Sequence, residues 1–220
     1  MSHARRATAA LAALVAGLAV GVVLPDVAKA DPATPAAYPA ASSATRVQGR
    51  FFDTCTAPPL TALAAWRGAS PYVGVNIYLG GRNRGCSQPH LTAAWVRSSV
   101  AAGWSLVPTY VGDQPFCVFG SKPFRYTSSG AGARGSADGT DAVTRARGLG
   151  LLPGSALYAD VEHYDRSNAT CVAAVRTYVS EWTRALHRNG YLVEQTTASA
   201  ISPSTGRTLP DRYIEGTCPI

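Results

Sequence analysis

The chain reads as an α/β protein made of successive βα units around a parallel sheet. Two observations carry that expectation. From about residue 50 onward, short apolar runs of strand length alternate with longer segments whose apolar residues recur every three or four positions. Between them stand turn and stop residues: Pro58-Pro59, Gly80-Gly81, Gly150, Pro153-Gly154 and Gly190. Taken in order, the spacing predicts a strand over 47–52 that ends at Asp53, then a short helix over 61–67. A second strand over 72–79 precedes a helix over 91–102 with Leu91, Trp95 and Ala102 on one side. The third strand, 105–111, contains Pro108, which cannot donate to a ladder. A long loop is expected to about Ala137, followed by a helix over 141–149 with Ala142, Val143, Ala146 and Leu149 at helical spacing. The fourth strand starts near Leu157. The strongest helix is expected over 170–188, where Val172, Val175, Tyr178, Val179, Trp182 and Leu186 fall on one stripe. Arg184, His187 and Arg188 suit its negative end, and Gly190 stops it. Tyr191-Leu192-Val193 begins a fifth strand. Beyond Val193 no period is evident.

The N-terminus has the form of an export signal. Arg5-Arg6 precede an uncharged stretch from Ala7 to Pro25, and Ala28-Lys29-Ala30 places cleavage before Asp31. The Ala-rich stretch, broken by Gly17 and Gly21, argues against a permanent membrane anchor, and the arginine pair is compatible with a twin-arginine signal. Residues 31–48, crowded with Pro, Ala, Ser and Thr, read as a flexible linker. The formal charge of +7 is mildly basic. No dense Lys/Arg cluster with interleaved aromatics is present, so a nucleic-acid partner is not expected.

All five cysteines, Cys55, Cys86, Cys117, Cys171 and Cys218, follow the export signal, and none forms a C-x-x-C pair. Structural disulfides are therefore expected over a zinc site, as two bridges whose pairing the spacing leaves open, with Cys218 the natural odd thiol.

The densest chemistry lies in Leu157-Tyr158-Ala159-Asp160-Val161-Glu162. Side chains alternate along a strand, so Asp160 and Glu162 leave the same face with Cα atoms roughly 6.5 Å apart. Two acids that close raise at least one pKa, the arrangement that lets one carboxyl donate a proton while the other stays ionised, as glycosidic cleavage requires. The bland reading is a strand end whose acids face water or pair with arginines. His163 alternates to the opposite face, which disfavours a metal site, and no cofactor is expected. Asp53 alone would pass for a turn residue before Pro58-Pro59. Asn168-Ala169-Thr170 matches a glycosylation acceptor by chance in a chain of bacterial character.

Several motifs occur together and in order: Phe52-Asp53-Thr54-Cys55-Thr56-Ala57-Pro58, Val75-Asn76-Ile77-Tyr78-Leu79-Gly80-Gly81, Cys86, Leu91-Thr92, Trp95-Val96, Gly103-Trp104, Pro108-Thr109-Tyr110-Val111-Gly112 and Tyr158-Ala159-Asp160-Val161-Glu162-His163-Tyr164. Over roughly residues 49–193 the chain resembles the glycoside-hydrolase-like barrel domain of exported actinobacterial proteins, including a mycobacterial protein secreted by the twin-arginine route. That family is similar to the Chalaropsis-type lysozymes, which place an Asp on the first strand and an Asp-x-Glu pair on a middle strand. The resemblance implies a TIM-like (β/α) barrel with a carboxylate-lined pocket at the strand C-terminal ends. A closed barrel typically takes about 250 residues, and only about 170 follow the linker here, so about five βα units are expected, with the C-terminal units missing or divergent.

The resemblance also implies roles. Glu162 is the expected general acid, Asp160 an ionised stabilising or orienting group and Asp53 a second acid, while Tyr78, Tyr110 and Tyr164 either line sugar subsites or pack. The expected organisation is an export signal (1–30), a linker (31–48), a partial barrel (49–193) and an atypical tail (194–220). The expected function is secreted hydrolysis of cell-envelope glycan or peptidoglycan, outside the cell or on its envelope. The alternatives are a non-catalytic carbohydrate-binding barrel or a truncated, inactive member of the family.

Overall fold

A six-stranded sheet, parallel at every rung, forms the centre of the computed structural model, which describes Val47, residues 49–197 and residues 214–215. Its strands are β1 (Arg50–Phe52), β2 (Tyr72–Gly80), β3 (Ser105–Tyr110), β6 (Ala156–Val161), β7 (Leu192–Thr197) and β8 (Ile214–Glu215). A separate two-stranded sheet pairs β4 (Gln114–Pro115) with β5 (Arg125–Tyr126). The described helices are α1 (Leu60–Trp66), α2 (Ala93–Ala101), α3 (Ala131–Gly148) and α4 (Ala169–Arg188). The spatial order is β7-β6-β3-β2-β1-β8, so β2, β3, β6 and β7 join the same growing edge in chain order. No ladder joins β7 to β8 among the described residues. Among these residues no closed barrel is seen.

All four helices contribute to one core on one face of the sheet. Leu63, Trp95, Val96, Ala142, Val143, Ala146, Ala174, Trp182 and Leu186 pack there against Phe52, Val75, Ile77, Leu79, Leu106, Leu157 and Ala159. The alternate strand residues point the other way, where Phe51, Val107, Ala156 and Tyr158 form a smaller buried cluster. Gly74 makes room for it: a Cβ at that position would lie 2.2 Å from the Phe51 ring. Among the described residues no helix is long and apolar enough to cross a membrane.

Two differences from the sequence expectation, and the presence of a proline in one expected strand, have physical causes. Helix α3 begins at Ala131, ten residues before the predicted start, because Gly132, Gly135 and Gly139 lower helix propensity yet share the face that meets α4. A Cβ on Gly135 would lie 2.2 Å from the Tyr178 carbonyl oxygen, and one on Gly139 would lie 2.8 Å from the Ala185 Cβ. The glycines permit a helix contact that local propensity does not reveal. Pro108 sits mid-strand, tolerated because the ladder from β3 to β6 begins only at Thr109. Finally, β7 continues through Thr197 and β8 pairs with Phe51 and Phe52, although residues 194–220 show no apolar period. Backbone pairing to β6 from Glu194 to Thr197 forms a strand that side-chain hydrophobicity does not announce. The expected export signal and Cys218 lie outside the described residues.

Candidate functional site

Above the apolar cluster of Phe51, Val107, Ala156 and Tyr158, the same face of the sheet turns polar toward the strand C-terminal ends. Thr109 donates to Asn76 Oδ1 in the buried layer between them. Asn76 Nδ2 donates to Asp53 Oδ1 at 3.0 Å, and the Tyr78 hydroxyl donates to Asp53 Oδ2 at 2.7 Å. Both oxygens of Asp53 therefore accept from fixed side chains on β2, so Asp53 is an oriented acid rather than a turn residue. The register explains the contact: Phe52 pairs with Val75, which sets Asp53 beside Asn76.

Asp160 shares this face from β6. Burial first, then the neighbouring Glu162 carboxylate and Asp53, together push its carboxyl up to about 7 against the opposing pull of Lys122. Glu162, one residue past β6, accepts from Lys122 Nζ at 2.7 Å. The Lys122 side chain is only 8 % exposed, so the ammonium sits inside the carboxylate cluster rather than in bulk water. The two acids thus have opposite environments. Burial and two neighbouring acids act on Asp160, whereas Glu162, the general acid expected from the sequence, faces an ammonium.

The backbone of the acid pair is held by Gln114. Its Nε2 donates to the Asp160 carbonyl at 2.9 Å, and its Oε1 accepts from the Glu162 N–H at 2.9 Å. The β3 ladder ends at Ala159, and the buried Gln114 amide continues it for one further rung. Gln114 is fixed in turn from Asp113, which packs against α3 and α4. Asp138 Oδ2 accepts from the Asp113 N–H at 3.0 Å and from the Tyr178 hydroxyl at 2.8 Å, while Arg134 Nη2 contacts Asp138 Oδ1 at 2.8 Å. Burial and Asp138 raise the Asp113 pKa, with Arg134 and Arg82 opposing.

Two disulfides brace the loops around the site: Cys55–Cys86 ties the loop after β1 to the loop after β2, and Cys117–Cys171 ties the loop between β4 and β5, which carries Lys122, to the first turn of α4. They give the pairing that spacing left open. They also fit an oxidising location.

The tyrosines divide. Tyr78 belongs to the site through Asp53. Tyr110 does not: it follows Thr109 on β3, so it points to the helix face, where it is buried and donates to Asp141 Oδ2 at 2.8 Å. Burial first, then Asp138 and Asp141, push its phenol far above the usual range. Tyr164 is half-buried against Val161, Cys117 and Cys171, with the Arg166 guanidinium 6.0 Å from its ring centre. Its side chain packs at the rim. His163 is exposed, its ring tilted against Phe119 at 4.8 Å, and among the described residues no cluster of three His, Cys, Asp or Glu side chains suits a metal ion. Asn168 caps α4, its side chain accepting from the Cys171 N–H.

Four site residues escaped sequence reasoning: Asn76, Thr109, Gln114 and Lys122. Asn76 and Tyr78 do alternate on one strand face. Lys122 carried a stronger signal, being one of two lysines in a chain with 18 arginines. A compact ammonium was placed where the composition would have supplied a guanidinium.

Residues 64–195 match the model of the family described as Rv2525c-like, glycoside hydrolase-like domain, and the chain belongs to that family. A different likeness covers 57 residues, 26% of the chain: 63% identity to the methionine–tRNA ligase of Beutenbergia cavernae, over 9% of that enzyme, and 60% identity to the one from Corynebacterium efficiens, again over 9%. The chain spans about a tenth of the length of these curated relatives. Among solved structures, an uncharacterized B. stearothermophilus protein aligns with a TM-score of 0.45 and 18% identity, over 70% of this chain and 61% of that one.

Proposed function

We propose that the protein is an exported glycosidase of barrel type that cleaves a cell-envelope glycan, with Asp160 as general acid. The observation that carries this reading is the separation of acid environments on one face: a buried carboxyl near pKa 7 beside one anchored by an ammonium and another anchored by two donors. Divergent environments of neighbouring carboxyls mark the division between proton donor and charge stabiliser. Near neutrality Asp160 retains its proton for a substantial fraction of molecules and can deliver it to the leaving glycosidic oxygen. Asp53 and Glu162 stabilise the positive charge that develops at the sugar ring, and Tyr78 borders the bound sugar through its contact with Asp53. Helices on one face and strands added in sequential order support a barrel-derived scaffold, and the two disulfides support an extracellular setting.

The test is release of reducing ends from purified peptidoglycan and from envelope polysaccharide. Activity should fall as pH rises through about 7, where Asp160 loses its proton, and should drop by about a hundredfold or more in Asp160→Asn. Glu162→Gln should also impair it. A pH profile that stays flat through 7, or an Asp160→Asn protein with full turnover, would refute the assignment. The insertion of Lys122 against Glu162 favours a second reading, a carbohydrate-binding domain without turnover. In that case glycan binding persists in Glu162→Gln and no reducing ends appear.

A further inference from the structure

The ladder between β3 and β6 makes its last rung at Tyr110 and Ala159, just before the acid pair. The next two groups on that edge of β6 are the Asp160 carbonyl and the Glu162 N–H, which a parallel neighbour would engage on either side of Val161. One side chain engages both. Gln114 Nε2 donates to the Asp160 carbonyl and Gln114 Oε1 accepts from the Glu162 N–H, each at 2.9 Å, and Nε2 also donates to the Gly112 carbonyl at 3.2 Å. Gln114 is 1% exposed. Turning its amide over would set donor against donor and acceptor against acceptor, so the orientation is fixed.

The amide is anchored before it reaches the acids. The Gln114 N–H donates to the Phe124 carbonyl at 3.0 Å, and Asn83, from the loop after β2, donates to the carbonyls of Gly112 and Phe124, each at 2.8 Å. Asp138 on α3 accepts from the N–H of Asp113, the residue before Gln114. Gly112 permits this approach: a Cβ there would lie 2.2 Å from the Tyr178 hydroxyl oxygen and 2.6 Å from Asp138 Oδ2. A side chain held from β5, α3 and the loop after β2 is a rigid clamp.

We propose that Gln114 is a positioning residue, whose amide fixes the main chain between Asp160 and Glu162 and so holds the two carboxyl groups at the spacing the site uses. Its bonds go to peptide groups, and it acts on the carboxyl groups through them. The role deepens the glycosidase reading above and rests on it for the reaction, but not for the titration that tests it. The groups that act on the Asp160 carboxyl are Glu162, Asp53 and Lys122, after its burial. Burial and the Glu162 contact both depend on the main chain at 160–162. Release of that segment lets water reach Asp160 and moves Glu162 away, and each effect lowers the Asp160 pKa.

The test is Gln114→Met in the full chain with its disulfides intact, a change that keeps side-chain length and removes both bonds. Carbon-13 NMR should show the Asp160 midpoint falling by about one pH unit or more from its parent position of about 7, and amide exchange at Glu162 should quicken. Gln114→Glu supplies the rescue: its protonated carboxyl donates to the Asp160 carbonyl and accepts from the Glu162 N–H, so protection of that N–H should match the parent at about pH 5 and fall by about pH 8. If Gln114→Met does not fold, this pair of pH values decides, and equal protection at both overturns the role. So does a folded Gln114→Met protein with an unmoved Asp160 midpoint, even if its unfolding temperature drops, since Gln114 is then structural only. A parent midpoint in the ordinary carboxylate range overturns it as well. Reducing-end release from peptidoglycan, measured alongside, separates the two readings. In an active parent, Gln114→Met should lower kcat about tenfold or more with KM little changed, and an unchanged kcat overturns the positioning role alone. An inactive parent whose Asp160 midpoint still moves in Gln114→Met overturns only the hydrolase.

Discussion

Replacing Asp160 by Asn should stabilise the fold at alkaline pH, and by a calculable amount. In the unfolded chain the carboxyl titrates at about 3.9; in the folded protein burial and the adjacent acids push it up to about 7. The folded state therefore binds the proton more tightly. Below about pH 4 both states are protonated and the charge costs nothing. Between about 4 and 7 the unfolded chain ionises while the native state still resists, and native stability falls as pH rises; above about 7 the loss is constant. A displacement of that size corresponds to about 4 kcal/mol at most, and the partial exposure of Asp160 lowers it to about 2–4 kcal/mol. Asn carries no charge and fills the same volume. Urea unfolding at pH 4 should thus give nearly equal stabilities, while at pH 8.5 the variant should be the more stable by about 2–4 kcal/mol, equivalent to roughly 5–15 °C in Tm. A difference between variant and parent that is the same at both pH values would mean that Asp160 is not the strained acid. The same substitution removes the proposed proton donor, so stability and activity should move in opposite directions.

Other outcomes follow from single contacts. Lys122→Met removes the cation that opposes the rise in Asp160, so the alkaline fall in activity should move to higher pH, and stability should drop by about 1–3 kcal/mol as Glu162 loses its partner; pH–rate profiles and denaturant curves read both. Gly135→Ala would gain about 1 kcal/mol of helix propensity in a free helix, but its Cβ meets the Tyr178 carbonyl at 2.2 Å, so overpacking should win with a net loss of about 1–2 kcal/mol in thermal unfolding. Replacing Cys117 and Cys171 by Ser opens a loop spanning 54 residues, which chain entropy values at about 4 kcal/mol, and should loosen Gln114 and Lys122 enough to show as faster amide exchange at Asp160 and Glu162.

The sequence by itself determined the βα rhythm, the strand ends that carry Asp53 and Asp160, and α4 with its apolar stripe and Gly190 stop. These features depend on local periodicity and turn chemistry, which a linear reading can see. The disulfide partners, the early start of α3 and the strands at Glu194–Thr197 and Ile214–Glu215 were decided by tertiary contact. In each case the deciding interaction joins residues distant in the chain: a glycine face against α4, a backbone ladder on β6, a sulfur brought across a loop. The same reason separates Tyr78 from Tyr110, alike in sequence context but on opposite faces of adjacent strands. It also sets the surroundings of the two acids. Acid spacing is local, but the pKa of each acid depends on what the fold buries beside it, and only the folded loop brings Lys122 to one carboxylate and leaves the other between anions.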